Sequence, residues 1–85
     1  MEIIFTDTAL ADLNYWKKKN DVKIQNRISK ILKDMVEDPF KGIGKPEALK
    51  FNLSGYWSRR INNEHRIVYS VEKNKIIVIA LRHHY

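Results

Sequence analysis

The chain contains no cysteine. That absence excludes disulfide staples, thiolate nucleophiles and thiolate zinc sites, and it suits a reducing compartment. It also leaves 85 residues to be stabilised by a hydrophobic core or by a partner, because a chain this short buries a modest share of its surface. Proline and glycine are scarce, at two and three residues, and no repeat, low-complexity tract or linker interrupts the chain, so one domain spanning residues 1–85 is expected. The start, MEIIFTDTALADL, lacks the basic n-region and apolar h-region of a signal peptide. No apolar run approaches membrane-spanning length either. The expectation is a soluble, cytoplasmic protein.

Acidic residues are also in short supply. Ten Asp and Glu face sixteen Lys and Arg, a net charge of +6, which favours a polyanionic partner such as nucleic acid. The excess is localised. Residues 1–38 balance their charges, whereas KGIGKPEALKFNLSGYWSRR and the stretches around HR and LRHH concentrate cations in the second half.

The coarse organisation is legible from periodicity. EIIFT is a short apolar strand candidate that ends where Thr6 and Asp7 can cap a helix. A first helix through TALADLNYWKKK is expected to place Leu10, Leu13 and Trp16 along one side, with Lys17, Lys18 and Lys19 complementing the helix dipole at its end. A second helix carries Ile24, Ile28, Ile31, Leu32 and Met35 on one stripe, opposite Arg27, Lys30, Lys33 and Asp34. Asp38-Pro39 stops it, and FKGIGKP reads as a loop. Its GIGK lacks the spacing of a phosphate-binding loop, and no helix pattern follows. After Pro46 the period changes to two, and EALKFN, YWSRRI, HRIVYSV and KIIVIALR read as four strands joined by short turns. The fold expected is α+β, with two N-terminal helices packed on a mainly antiparallel sheet. KIIVIALR is apolar on both faces, so it belongs in the middle of that sheet.

Several polar residues stand out against this frame. Tyr56 and Trp57 beside Arg59 and Arg60 have the composition of a base-stacking and phosphate-pairing cluster, although aromatics in half-buried strands are commonly core. Arg66 opens an apolar strand, where a guanidinium needs an anion, either a protein carboxylate or a substrate phosphate. His65, His83 and His84 do not form a metal set, since neighbours on a strand point to opposite faces and no cysteine completes it; no cofactor is expected. Acid–base work suits a histidine near the end of ALRHHY better, given a carboxylate such as Glu47, the one acidic residue of the basic half before Glu64. A carboxylate base, a histidine acid and an arginine would suffice to cleave RNA through its own 2′-hydroxyl without a metal.

KPEALKFNLSGYWSRRINNEHRIVYSV and the ending LRHHY resemble the YoeB toxins of the RelE superfamily over nearly the whole chain, the DPFKGIGKPE loop included. The resemblance implies a RelE-like microbial ribonuclease fold and a ribosome-dependent endoribonuclease, an mRNA interferase of a type II toxin–antitoxin system. Its expected partners are the 70S ribosome with its mRNA and a YefM-like antitoxin; a homodimer is left open. It implies Glu47 as general base, His84 as general acid, Arg66 as phosphate stabiliser and Tyr85 as a substrate-positioning group, with Lys50, Arg59 and Arg60 facing RNA. His83 stands where that family pattern has tyrosine, and Phe51 where it has histidine, so substrate contacts are what these two departures touch. Two other readings stay open: a ParE-like toxin of the same fold acting on a topoisomerase, and a noncatalytic RNA-binding domain. Strand register around Arg66 and His84 is not readable from sequence, because a one-residue slip exchanges the faces.

Overall fold

The computed structural model describes residues 1–83. It contains strand β1 (Glu2–Phe5), helices α1 (Asp7–Lys18) and α2 (Val22–Glu37), strand β2 (Glu47–Ala48), a 3-10 turn at Phe51–Leu53, and strands β3 (Trp57–Arg60), β4 (Arg66–Glu72) and β5 (Lys75–Ala80). Both helices begin where the sequence supplies a cap. Thr6 Oγ1 accepts the Ala9 N–H at 3.2 Å and donates to the Ile79 carbonyl at 3.2 Å, so one hydroxyl starts α1 and ties it to β5. Asp21 Oδ1 accepts the Ile24 N–H at 3.1 Å to start α2. The second helix ends at Glu37, capped by Asp38, directly before the proline that cannot continue it.

The five strands form one mixed sheet in the order β1-β5-β4-β3-β2. β5 is an interior strand, second in that order rather than at the middle: it runs parallel to β1 and antiparallel to β4, and this flanking on both edges agrees with its two-sided apolar pattern. Ile76 and Val78 on the helix side are buried and Ile77 on the other side is half-buried; a register shift beside Val68 and Tyr69 then brings the buried Ala80 opposite Val68. The helices cover one face, where Trp16, Ile28, Ile31, Met35, Ile67, Tyr69, Ile76 and Val78 form a single buried cluster. Burying an aliphatic side chain of this kind stabilises the fold by about 1.5–3 kcal/mol. Among the described residues no helix is long and apolar enough to cross a membrane.

Two expectations are corrected. On α1 the buried residues are Ala9 and Trp16, and Leu10 is 46% exposed. Ala9, Leu13 and Trp16 follow an i, i+4, i+7 spacing, and the close approach of the helix to β5 favours the small alanine at the contact. The strand expected over EALKFN stops after Ala48. One further hydrogen bond, Leu49 N–H to the Tyr56 carbonyl at 2.9 Å, closes the pair. Phe51 then takes φ +59° and turns the chain out of the sheet.

Candidate active site

Paired residues of neighbouring strands share a face, so register decides which side chains meet. Glu47 pairs with Ser58, Ser58 with Val68, and Arg60 with Arg66. Glu47, Ser58, Arg60 and Arg66 therefore lie together on the sheet face away from the helices. Trp57, Arg59 and Tyr69 lie on the helix side. On the open face Arg66 Nη1 donates to Glu47 Oε1 at 2.9 Å and to Ser58 Oγ at 3.0 Å. Side-chain exposure is 17% for Arg66 and 60% for Glu47, so the guanidinium is seated while the carboxylate remains reachable. Among the described residues Arg66 Nε and Nη2 have no partner. A phosphate arriving at this face can take those donors, and in competing for Arg66 it would free Glu47 to accept a proton.

The end of β5 is held from two sides. The Leu81 N–H donates to Asp12 Oδ2 at 2.9 Å, and the Leu81 carbonyl accepts Trp16 Nε1–H at 2.9 Å, so α1 grips both backbone groups of one residue. Two residues on, the His83 carbonyl accepts the Arg66 N–H at 2.8 Å, and the His83 N–H donates to His65 Nδ1 at 2.7 Å. Residue 83 is thus fixed against the start of β4, where Arg66 sits. His84 and Tyr85, to which the family resemblance assigns acid and positioning roles, lie outside the described residues.

Of the residues expected to face RNA, Lys50 and Arg60 are exposed. Lys50 precedes the turn that presents Phe51, which is 91% exposed. Arg59 is the correction. It is 0% exposed and turned into the helix side, because it is paired with Ile67 rather than with Arg66. Its Nη1 donates to Asp34 Oδ2 at 2.6 Å and to the Ile43 carbonyl at 3.2 Å. Its Nη2 donates to the Asp38 and Lys41 carbonyls at 2.6 and 2.9 Å, and Nε donates to the Tyr69 hydroxyl at 3.2 Å. A hydrogen bond from Arg59, joined by one from the Ile43 N–H, holds the Asp34 carboxyl below the usual carboxylate range. Burial pushes the Tyr69 phenol up, against the opposing pull of Arg59. The arginine is consequently a clamp on the 38–44 loop and not a nucleic-acid contact. Gly42 belongs to the same clamp: its φ is +128°, and a Cβ there would run into the Asp34 carboxylate. Trp57 is likewise half-buried, against Phe40 at 4.8 Å between ring centroids.

Ser58, which accepts from Arg66, and His65, which accepts from the His83 N–H, border this site without being legible as its members in the sequence. Ser58 has no signal of its own until the β2–β3–β4 register is known. His65 suggests in the sequence only a metal ligand, and its contact to residue 83 depends on the tertiary fold.

Comparison with solved structures establishes the class first. The fold superposes on the YoeB/ParE toxin of Agrobacterium tumefaciens with a TM-score of 0.93 at 38% identity, each chain covered in full. It also superposes on the toxin chain of the heterotetrameric YoeB–YefM toxin–antitoxin complex from Staphylococcus aureus, with a TM-score of 0.88 at 44% identity over 100% of this chain and 98% of that one. This is a RelE-like α+β toxin fold. The sequence narrows it further: residues 5–85 match the family profile of the YoeB-like toxin of bacterial type II toxin–antitoxin systems. Toxin YoeB of Synechocystis sp. is 51% identical over 85 residues, which is 100% of this chain and 98% of that protein. The chain belongs to the YoeB toxin family.

Proposed function

We propose that this toxin is a metal-independent endoribonuclease that cuts mRNA in the A site of the translating ribosome. The observation that carries the reading is the Glu47–Arg66 pair, a reachable carboxylate 2.9 Å from a seated guanidinium, on an open sheet face with Arg60 beside it. In the reaction Glu47 takes the proton of a ribose 2′-hydroxyl, whose oxygen attacks the adjacent phosphorus. Arg66 stabilises the charge that develops on the phosphoryl oxygens. The bond from phosphorus to the 5′-oxygen breaks, and His84 protonates that oxygen, leaving a 2′,3′-cyclic phosphate and a free 5′-hydroxyl. Tyr85, Lys50 and Arg60 position the substrate. The two titrating groups act at opposite ends of the displaced phosphate, which general acid–base catalysis requires.

Such an activity needs restraint, and the YoeB–YefM complex from S. aureus is the precedent for it. The partner of this chain is a YefM-like antitoxin whose acidic, partly disordered segment folds onto the basic surface and covers or distorts the Arg66 site.

The test is cleavage of mRNA on programmed ribosomes, with new 5′ ends mapped. The wild type should cut, Glu47→Gln should cut about 10²–10⁴-fold more slowly, and a substrate with 2′-deoxyribose at the scissile position should resist. Cutting of the deoxy substrate, or inhibition of a topoisomerase with intact mRNA, would overturn the reading.

A further inference from the structure

We infer that His65 is a positioning residue, whose Nδ1 holds the backbone of His83 against the start of β4, one residue before the proposed acid. The inference rests on the role given above to His84. Several observations converge on it. His65 is buried. It is edge-on to Trp16 at 4.8 Å and tilted against the His83 ring at 5.9 Å. Among the described residues the one short polar contact of the ring is that at 2.7 Å from the His83 N–H. An imidazole nitrogen that accepts a backbone N–H carries no proton, so the neutral ring bears its proton on Nε2. That nitrogen faces Glu64 Oε2 at 3.7 Å, the arrangement expected of the Nε2–H tautomer.

The backbone around the imidazole shows what this bond adds. His83 has φ +64°, a left-handed conformation that costs a non-glycine residue about 1–3 kcal/mol and persists only where surrounding contacts impose it. Among the described residues the hydrogen bonds that can hold it are those to residue 83 itself: Arg66 N–H to its carbonyl and its own N–H to His65. Both partners are consecutive residues at the start of β4. The strand that presents the phosphate-binding Arg66 therefore also fixes the backbone one residue before the proposed acid, and His65 is the half of that link that can be switched off. Protonation puts a hydrogen on Nδ1 and turns the acceptor into a donor facing a donor. Among the described residues the charged and titratable groups facing the ring are Glu64 from the preceding turn, Lys19 from the end of α1, and Arg82 and His83 from the segment after β5. Burial lowers the His65 pKa from its ordinary value; Glu64 opposes the shift, while His83, Arg82 and Lys19 reinforce it. The ring is thus neutral and latched at neutral pH, and it releases residue 83 as the solution is acidified.

Two variants separate positioning from bulk packing. His65→Asn can return an acceptor oxygen to the place of Nδ1, whereas His65→Leu keeps an apolar filling and strands the His83 N–H. In single-turnover cleavage on programmed ribosomes, His65→Leu should lower the cleavage rate at saturation by at least about tenfold, the scale on which slight misplacement acts, with the half-saturating ribosome concentration unchanged. His65→Asn should recover most of that loss. Nitrogen-15 NMR of the wild type should show an unprotonated Nδ1 and a protonated Nε2 at pH 7.5, and His83 amide protection that disappears as His65 titrates. A proton on Nδ1 at pH 7.5, or no difference in rate between His65→Leu and the wild type, would overturn the inference. The NMR arm stands if His65→Leu fails to fold. It also stands if the chain cuts no RNA, so failure of the clasp and failure of the ribonuclease reading give different results.

Discussion

Replacing Arg59 with alanine should damage the fold and leave the nucleic-acid contact surface unchanged. Four of the five hydrogen bonds from its guanidinium go to uncharged acceptors: the carbonyls of Asp38, Lys41 and Ile43 and the hydroxyl of Tyr69. At about 1 kcal/mol net for each bond, truncation costs roughly 4 kcal/mol. The Asp34 ion pair adds little to this sum, because its carboxylate is partly open to solvent and screened. Against a total stability on the order of 5–15 kcal/mol the loss is large. A domain of this size shifts its Tm by about 4–8 °C per kcal/mol, so a fall of roughly 15 °C or more is expected in a circular dichroism melt. Arg59→Lys should rescue little of it, since one ammonium cannot span acceptors that a planar fork reaches together. Hydrogen exchange should rise across residues 38–44, the loop the guanidinium holds. At 10 °C, where the variant remains folded, the dependence of RNA binding on salt should match the wild type. A Tm within a few degrees of wild type together with a shallower salt dependence would refute the inward assignment and restore Arg59 to the binding surface.

Arg60→Ala should do the reverse: melting unchanged within a few degrees, and the slope of log K against log salt reduced by about 0.7 for a single-stranded site, as one phosphate contact is lost. Removing His84 and Tyr85 should leave the melt and antitoxin binding intact, because among the described residues the buried apolar core ends at Leu81, but should lower single-turnover cleavage by about 10²–10⁴. Glu47→Gln should show a loss of the same kind, and combining the two should be less than additive where both act in one step. His65 makes stability pH-dependent with a definite sign. Its folded pKa lies below its unfolded value, so its contribution is fully present above about pH 6.5 and is lost as the pH falls through the lowered folded value. A Tm series from pH 5 to 8 should decline on the acid side, and His65→Asn should flatten that decline.

Much of this molecule is determined locally. The stripe Ile24, Ile28, Ile31, Leu32 and Met35 can bury only as a helix, Pro39 can only end it, and KIIVIA, apolar on both faces, can be covered only from within a sheet. Net charge, the lack of cysteine and the presence of Glu47 and Arg66 are likewise properties that the chain carries before it folds, whereas the pairing of those two is not. What local sequence does not contain is register. Arg59 and Arg60 are adjacent and chemically identical, yet one is a buried clamp and the other faces solvent beside Arg66. Strand side chains alternate, and only the pairing of β3 with β4 decides which of the two points at Asp34. Ser58 joins the site through the same pairing. His65 gains its role only when α1, the start of β4 and the segment after β5 converge on one imidazole, contacts that span tens of residues and leave no periodic trace in the sequence.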